Sequence, residues 1–462
     1  MNCLRTPARE HDFEPLLPDT GHVPKSLDGT FYRVGPGKFE DANGPFAHWF
    51  DGEGLLSAIR VGNGRAAAAC RMIRPAGADG PDYAKRGRMG RAPQGLLRRM
   101  RGFVDSSVYA NVANTALMEW QGRLFALFEA CLPTEVDPET LETIGEVDFG
   151  VVARSLGAHP QLHAASGSLI NQGFVPPPKG AIDYYAFPTD GPPQHTHRVP
   201  ISGRFPAHDL AVTASDVITV LSPLFIDIVG VVSGRPIAEC LRWRAEKGTE
   251  IVVSPVGGGR SCRLQTPAML YSHTANAFED GDLRIIHGVA AADSSLADWT
   301  ARVRRGCADL HPLPTPGRLT ELRIDPGTGL VEVNVLFETP TEFPTIDPRW
   351  SGKRHSVIYG TTYMEEAQAY ADLSDAIVRF DLRRSEVTKL GFGEGHVVSE
   401  PVFIPSENAE GEGWLMCVNY DGLNDRSYLA IVRASRTMEL VATLSLPAPL
   451  PMSLHGLWVA RN

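Results

Sequence analysis

The sequence has no long apolar run. Among its 462 residues there is no stretch of 18 consecutive apolar residues, so no membrane-spanning helix is predicted. The first segment, "MNCLRTPAREHDFEPLLPDTG", has no apolar core of the kind that signal peptides contain. We therefore expect a cytoplasmic protein, with no membrane contact other than a peripheral one.

Paired cysteines and an excess of positive charge are also missing. The seven cysteines are scattered, and the nearest two, Cys240 and Cys262, are 22 positions apart (262 − 240). This spacing excludes CxxC redox and zinc-knuckle motifs and indicates no disulfide framework. The formal net charge of −10 argues against nucleic acid as a partner, since phosphate binding needs a basic surface.

Turn residues and short strand-like segments dominate the chain. The 45 glycines and 36 prolines separate segments such as "GRLFALFEA", "DVITVLSPL" and "SYLAIVRAS". Many short strands at fairly regular spacing predict an all-β sandwich, barrel or propeller. At this length a propeller fits best, because its blades bury their faces against each other and leave few exposed edges.

The number of blades cannot be read from the sequence alone, because no repeat of fixed period is visible. Helices are predicted at residues 92–103, 236–243 and 296–305. No linker or low-complexity segment divides the chain, so one domain over residues 1–462 is expected.

Four of the fourteen histidines lie beside strand-like segments with a turn close by: His159, His208, His273 and His455. His159 and His163 have helical spacing, but Pro160 follows the first, so a metal-binding pair on a helix is not expected. A lone histidine is more often structural than a ligand. In a propeller, however, the inner strands converge on one axis, so single histidines that are distant in sequence can meet there as metal ligands.

A set of ordered motifs extends over nearly the whole chain. They include "GTFYRVGPGKFE", "FAHWFDGEGLLSAIRV", "LFALFEACLPTEVDPETLETIG", "SEPVFIPS" and the terminal "LHGLW". Together and in this order they resemble the carotenoid cleavage oxygenases. The resemblance implies a seven-bladed β-propeller, with a few short helices and loops capping one face.

The same resemblance implies one Fe(II) per chain, with O2 as co-substrate. The four histidines named above match the family's iron ligands. Three glutamates match those that hydrogen-bond ligand histidines: Glu129, Glu342 and Glu400. We expect each to pair with one of His208, His273 and His455, which leaves His159 without a glutamate. Thr115 matches a threonine whose methyl group shields one iron position.

The implied reaction inserts O2 across a conjugated carbon–carbon double bond and yields two carbonyl fragments. In stilbene cleavers the residue before the first glutamate is typically a lysine that meets the phenol oxygen, but here it is Phe128. An apolar tunnel and a carotenoid or apocarotenoid are therefore favoured over a stilbene. A phenolic substrate remains the alternative, because Tyr83 could contact a phenol in another way. The alternative from another class is a non-catalytic propeller that binds a partner.

Two segments are candidates for peripheral membrane contact, residues 85–103 and 221–234. The first has seven basic residues and no acidic one, with Leu96, Leu97, Met100 and Phe103 spaced as one helix face. This pattern is typical of an amphipathic helix that docks on anionic lipid. The alternative is that the helix packs its apolar face on the propeller and that the second segment is a buried strand. Nothing in the sequence predicts an oligomeric state.

Overall fold

The computed structural model describes residues 2–4, 7–78, 80–176, 180–201, 203–205, 207–295, 315–365, 373–406 and 409–461. Within them, seven antiparallel sheets of four to six strands form the blades of a propeller, beside two ribbons of two strands each. The seven-bladed all-β propeller that the resemblance implied is thus confirmed.

The strands of the first four blades are given in chain order within each blade. Blade 1 has β1 (His11–Leu16), β3 (Gly29–Lys38), β6 (Glu53–Gly62), β7 (Arg65–Met72) and β35 (Gly456–Ala460). Blade 2 has β8 (Ala116–Trp120), β9 (Arg123–Leu127), β10 (Thr134–Val136) and β11 (Thr143–Glu146). Blade 3 has β12 (Gln161–His163), β13 (Ser168–Val175), β14 (Ala181–Phe187) and β15 (Gln194–Pro200). Blade 4 has β16 (Ala211–Val212), β17 (Asp216–Leu221), β20 (Thr249–Pro255) and β21 (Cys262–Thr266).

The other three blades and the ribbons follow. Blade 5 has β22 (Leu270–Asp280), β23 (Leu283–Ala291), β24 (Arg318–Ile324) and β25 (Val331–Pro340). Blade 6 has β26 (Glu342–Thr345), β27 (Val357–Thr362), β28 (Ala376–Asp381) and β29 (Glu386–Gly391). Blade 7 has β2 (Pro18–Gly21), β30 (His396–Val398), β31 (Val402–Pro405), β32 (Gly413–Asp421), β33 (Arg426–Ala434) and β34 (Glu439–Ser445). The ribbons pair β4 (Glu40–Asp41) with β5 (Gly44–Pro45), and β18 (Leu224–Ile226) with β19 (Leu241–Trp243).

The burial of each strand follows from its place in the blade. The middle strand β17, "DVITVL", is buried at every position, so it is mainly apolar on both faces. Its two polar residues are hydrogen-bonded, Asp216 to Arg284 and Thr219 to Gln172. The outer strand β11, "TIGE", alternates between half-buried and exposed residues. Between each pair of neighbouring blades lies one apolar cluster, so all seven blade interfaces are held by hydrophobic burial.

The ring is closed by strands from opposite ends of the chain. In blade 1 the last strand, β35, pairs with β3, and Gly29 lies opposite Ala460. In blade 7 the early strand β2 pairs with β34 near the C-terminus. Each closing blade therefore contains hydrogen bonds between distant parts of the chain, which leaves no open seam between blades 1 and 7.

Three short α-helices pack beside one another: α1 (Leu96–Arg101), α2 (Ile228–Ser233) and α3 (Ile237–Cys240). Helix α1 is shorter than the predicted 92–103, because it begins after Gly95, whose φ is +90°, and ends before Gly102. Helix α3 ends at Cys240, because the next three residues form β19 and pair with β18. The helix predicted at residues 296–305 lies outside the described residues.

The segment 221–234 is neither one buried strand nor one helix. After β18, Asp227 accepts a hydrogen bond from the Gly230 N–H, which caps the start of α2, and Gly234 ends the helix with φ +100°. Short 3-10 turns lie at Asn2–Leu4, Trp49–Asp51, Tyr83–Lys85, Ser106–Val108, Ala245–Lys247 and Pro348–Trp350. In the described part of the chain, no helix has the length and apolar character needed to cross a membrane.

Candidate metal centre

The first strands of neighbouring blades contact each other around the axis, as β12 contacts β16 and β16 contacts β22. The four predicted ligands lie on or next to these strands. His159 precedes β12, His208 precedes β16, His273 lies in β22 and His455 precedes β35. The structure therefore brings together four histidines that lie in four different blades.

The histidine rings form one compact cluster. Their potential ligand atoms all lie within 4.8 Å of one another. The Nε2 atom of His208 is 3.0 Å from Nε2 of His159 and 3.2 Å from Nε2 of His273. The ring centroid of His455 is 4.5 Å from that of His159. No other cluster of this kind occurs within the described residues.

Each of the three predicted glutamates contacts one histidine at Nδ1, the ring nitrogen that faces away from the cluster. Glu129 Oε1 is 2.5 Å from Nδ1 of His208. Glu342 Oε2 is 2.7 Å from Nδ1 of His273, and Glu400 Oε1 is 2.9 Å from Nδ1 of His455. This is the pairing expected from the sequence, and His159 has no glutamate partner among the described residues.

The donor set fits a metal cation. A carboxylate at Nδ1 keeps the proton on that nitrogen and leaves the lone pair on Nε2. In the three paired histidines the Nε2 lone pairs therefore point toward a common centre. Lone pairs so close together repel each other unless a positive ion lies between them, and neutral imidazole suits Fe(II).

The charges of the surrounding groups support this assignment. Burial first, and then the neighbouring imidazoles, lower the pKa of His159 well below its usual range, so its ring is neutral at pH 7. Burial would raise the pKa of Glu342, but the His273 imidazole beside it lowers that pKa below the usual value. In the same way His455 lowers the pKa of Glu400, so both glutamates are carboxylates.

The cluster opens toward a cavity of about 680 Å³ between the first strands. Its walls include His159 and His455, the β8 residues Ala116–Glu119, and all of β35. Thr115 immediately precedes β8 and is buried, and its hydroxyl donates to Asn114 Oδ1 at 3.2 Å. Thr115 is therefore the sequence neighbour of a residue that lines the cavity, Ala116, but is not itself part of the cavity wall.

Phe128, the residue before Glu129, contacts a different part of the protein. It packs against a small apolar cluster of Tyr83, Ala110 and Val112, and it does not line the axial cavity. The Tyr83 hydroxyl donates to the Asn111 carbonyl at 2.7 Å and lies 3.3 Å from Glu53. The polar end of Tyr83 is thus already bonded within the protein.

Two contacts of the centre were not expected from the sequence. Arg33 is fully buried and donates to both the carbonyl and the carboxylate of Glu400. The ring centroid of Phe343 lies 5.4 Å from that of His273 and 5.2 Å from that of His455. The backbone of Phe343 has a positive φ of +51°. Arg33 stands in the quoted motif "GTFYRVGPGKFE", and Phe343 directly follows Glu342, but neither position by itself indicates such a contact.

Comparison with known sequences gives a match over almost the whole chain. The family model described as retinal pigment epithelial membrane protein (RPE65) matches residues 5–460. The apocarotenoid-15,15'-oxygenase of Synechocystis is 29% identical over 95% of this chain and 91% of its own length. The resveratrol cleavage oxygenase 1 of Aspergillus fumigatus is 27% identical over the same shares.

Solved structures with the same architecture cover the whole chain. Cobalt-substituted apocarotenoid oxygenase from Synechocystis superposes with a TM-score of 0.88 and 26% identity, covering 100% of this chain and 98% of that one. A chimera of that enzyme with RPE65 gives the same values.

Proposed function

The chain belongs to the RPE65 and carotenoid cleavage oxygenase family, and from this premise we propose that it uses iron(II) and O2 to cleave a conjugated double bond of a carotenoid or apocarotenoid. Enzymes of this family cleave a carbon–carbon double bond with O2. The products are two carbonyl compounds, each with one oxygen atom from O2. The observation that carries the proposal is the cluster of four histidines with three carboxylates at their outer nitrogens.

His159, His208, His273 and His455 would hold one iron(II) ion per chain. When bound, iron(II) would activate O2 toward an alkene, and the electrons that reduce O2 would come from the double bond that is cleaved. Four neutral imidazoles bring no negative charge, so the carboxylates of Glu129, Glu342 and Glu400 balance the charge of the ion from one residue further out. They also hold each ring in one orientation, with the proton at Nδ1.

The proposed role of Thr115 is to limit access to the ion with its methyl group. Its position directly before β8, whose residues Ala116–Glu119 line the cavity that reaches His159 and His455, supports this role. A small, buried side chain there excludes water without adding a ligand. We expect Thr115→Ala to bind the metal as tightly as the wild type but to cleave with altered efficiency.

The substrate class is proposed from the residue type that precedes Glu129, although Phe128 itself packs outside the axial cavity. Its ring lies in apolar surroundings next to Glu129, and a phenylalanine cannot exchange a proton with a phenol. The relative in Aspergillus fumigatus that is named for resveratrol cleavage keeps a hydroxylated stilbene as the second candidate. The bonded Tyr83 hydroxyl argues against the phenol, because a substrate would have to displace the Asn111 carbonyl.

The test is a panel of apocarotenoids and hydroxystilbenes, supplied to protein that has been loaded anaerobically with Fe(II). Mass spectrometry of the products should show two carbonyl fragments from at least one apocarotenoid, formed faster than from any stilbene. Phe128→Lys should raise turnover of a hydroxystilbene relative to the apocarotenoid. Faster cleavage of a stilbene by the wild type would reverse this choice of substrate.

We propose that the protein takes up such a water-insoluble substrate by docking reversibly on a membrane. Helices α1 and α2 contact each other, and Arg99 Nε donates to the Val232 carbonyl at 2.9 Å. Beside this contact six apolar side chains are exposed, here called the apolar patch: Leu96, Leu97, Met100, Val104, Ile228 and Val229. A contiguous exposed patch of this kind is typical of a lipid or protein contact.

The arginines of α1 contribute less to the attraction for anionic lipid than their number predicts, because two of them are paired with acidic side chains. Arg98 pairs with Asp82 at 2.8 Å, and Arg101 pairs with Asp105 at 2.6 Å. Earlier in the segment, Arg88 and Arg91 pair with Glu53 and Asp41. Because these partners neutralise most of the segment's charge, we expect apolar burial to drive docking, with a smaller contribution from anionic lipid.

A further inference from the structure

Asp209 directly follows the ligand His208 and is almost completely buried, with 2% of its surface exposed. Among the described residues no lysine or arginine forms an ion pair with it. Burying a carboxylate without a cationic partner costs free energy of folding, so Asp209 needs hydrogen bonds that compensate for this cost. The site described above does not use it, since the three glutamates already occupy the outer nitrogens of the paired histidines.

The two oxygens of Asp209 point to different blades. Oδ2 accepts a hydrogen bond from the Thr274 N–H at 2.7 Å, and Thr274 follows the ligand His273 in blade 5. Oδ1 accepts from the Gln161 side chain at 3.2 Å and from the Leu210 N–H at 2.6 Å. Gln161 begins β12 in blade 3, two residues after the ligand His159.

One carboxylate therefore joins the segments that carry three of the four histidines. His159 is the histidine that has no glutamate partner. The hydrogen bond from Gln161 to Asp209 links the segment of His159 to a carboxylate instead. The first strand of blade 4, β16, has just two residues, so few backbone bonds hold this part of the axial region.

We propose that Asp209 is a positioning residue of the metal centre, which sets the spacing of His159, His208 and His273 through hydrogen bonds to Gln161 and Thr274. This inference rests on the proposed function, because it assumes that the four histidines bind one metal ion. Asp209 does not touch the ion or the substrate; it acts through the segments that carry the ligands.

Two substitutions separate this role from a general effect on folding. Asp209→Asn keeps the shape of the side chain, but its amide nitrogen cannot accept a hydrogen bond. Either the Leu210 or the Thr274 N–H must then lose its acceptor. Gln161→Leu leaves the carboxylate in place and removes only the bond to the segment of His159. Since Gln161 is half-buried at the cavity wall, this variant disturbs the fold less.

The matched control is Asp183→Asn in blade 3. Asp183 is also a buried carboxylate, but it accepts hydrogen bonds from His195 and Arg198 on the outer strand β15 and contacts none of the ligands. Its loss should lower the thermal stability and leave the metal centre unchanged. It therefore shows how much of any effect comes from removing a buried carboxylate as such.

The experiment titrates the full-length protein with Co(II) in the absence of oxygen. It records the visible d–d bands of the bound ion and its affinity in competition with a chelator. Asp209→Asn and Gln161→Leu should each bind Co(II) about 10- to 100-fold more weakly than the wild type, with shifted bands. Asp183→Asn should match the wild type in both measurements.

The outcomes distinguish the inference from its premise. Folded Asp209→Asn protein with the affinity and bands of the wild type would overturn the role of Asp209 alone. If Asp209→Asn does not fold, Gln161→Leu decides, and an unchanged Co(II) centre in that variant would overturn it equally. A wild-type protein that binds no Co(II) would overturn the proposed metal function, and the role of Asp209 with it.

Discussion

Arg33 lies fully buried against Glu400, with Nη1 2.8 Å from the carbonyl oxygen and 3.3 Å from Oε2 of that residue. The same guanidinium donates from Nη2 to the Leu454 carbonyl at 2.8 Å. Glu400 holds His455 at Nδ1, so Arg33 fixes both the glutamate and the segment that carries the histidine. Of the three glutamates at the centre, Glu400 is the one with an arginine partner among the described residues.

Loss of this arginine should destabilise the fold strongly. Arg33→Met leaves the Glu400 carboxylate buried without its cation, which typically costs about 3–5 kcal/mol. The surface pair of Arg60 and Glu139 is the matched control, because an exposed pair contributes only about 0–1 kcal/mol. Urea unfolding of Arg33→Met and Arg60→Met measures both values. An Arg33→Met protein as stable as Arg60→Met would contradict the interpretation.

The glutamates should matter for the metal and not only for the fold. Glu342→Gln cannot accept the Nδ1 proton of His273 as a carboxylate does, and loss of such a partner typically lowers metal affinity or activity about 10- to 100-fold. Glu321 is the control, since it pairs with His287 at 3.1 Å, away from the cluster. Metal content after dialysis against a chelator should fall in Glu342→Gln and stay unchanged in Glu321→Gln. Equal metal content in both proteins would count against the role of Glu342.

Much of this centre was predictable from the sequence, and the reason is chemical. The four histidines and three glutamates stand in motifs whose order matches one family, and a propeller has an axis where distant segments meet. Asp209 was not recognised, because a lone aspartate after a histidine resembles any turn residue until its partners in two other blades are known. The acidic partners of Arg88 and Arg91 were missed for the same reason, since Glu53 and Asp41 lie about 35 and 50 positions away.

The helices show where a local pattern is overridden by tertiary contacts. The apolar spacing of residues 92–103 predicts a longer helix than α1, but Gly95, whose φ is +90°, prevents the helix from starting earlier. At the other side the last helical residue is Arg101. In residues 236–243, pairing of β19 with β18 replaces the second half of the predicted helix. Segment 221–234 has enough apolar residues for a strand, but α2 forms within it, where Asp227 accepts the capping hydrogen bond from the Gly230 N–H.

The apolar patch should bind vesicles through Leu97 and Val229, which are 84% and 78% exposed. Burying one large aliphatic side chain contributes about 1.5–3 kcal/mol, so replacing either with aspartate should weaken binding at least about tenfold. Leu423→Asp, at a leucine that is 74% exposed in the turn between β32 and β33, should bind as the wild type does. Co-sedimentation with neutral and anionic vesicles at two salt concentrations provides the measurement. Binding that survives both patch substitutions, or that salt abolishes, would show that the patch is not what docks.

Stability at acid pH should depend on His355, which is buried between His287 and Asn276. Burial, and next the neighbouring His287, lower the pKa of His355 to about 3. An unfolded histidine titrates near pH 6.5, so between those values only the unfolded state binds the proton. The free energy of unfolding therefore carries no penalty from His355 above about pH 6.5. Below that pH it falls on acidification by about 1.4 kcal/mol per pH unit.

His355→Gln should therefore flatten the acid side of the stability curve, apart from any constant loss of packing. The same substitution at an exposed histidine, His22→Gln, is the control. The slope of unfolding free energy from urea titrations between about pH 6.5 and pH 4.5 decides the question. The same slope in His355→Gln and the wild type would show that His355 is not held neutral.

The most direct test of the whole account joins metal content to product formation in one preparation. Wild-type protein loaded anaerobically with Fe(II) should retain one iron per chain and, with O2 and an apocarotenoid, should release two carbonyl fragments whose masses add up to substrate plus O2. His159→Ala, which removes a ligand without touching any glutamate, should lose most of the iron and all of the cleavage. A His159→Ala protein that cleaves as fast as the wild type, or a wild type that forms no such products with iron bound, would contradict the assignment of the four histidines as the catalytic iron site.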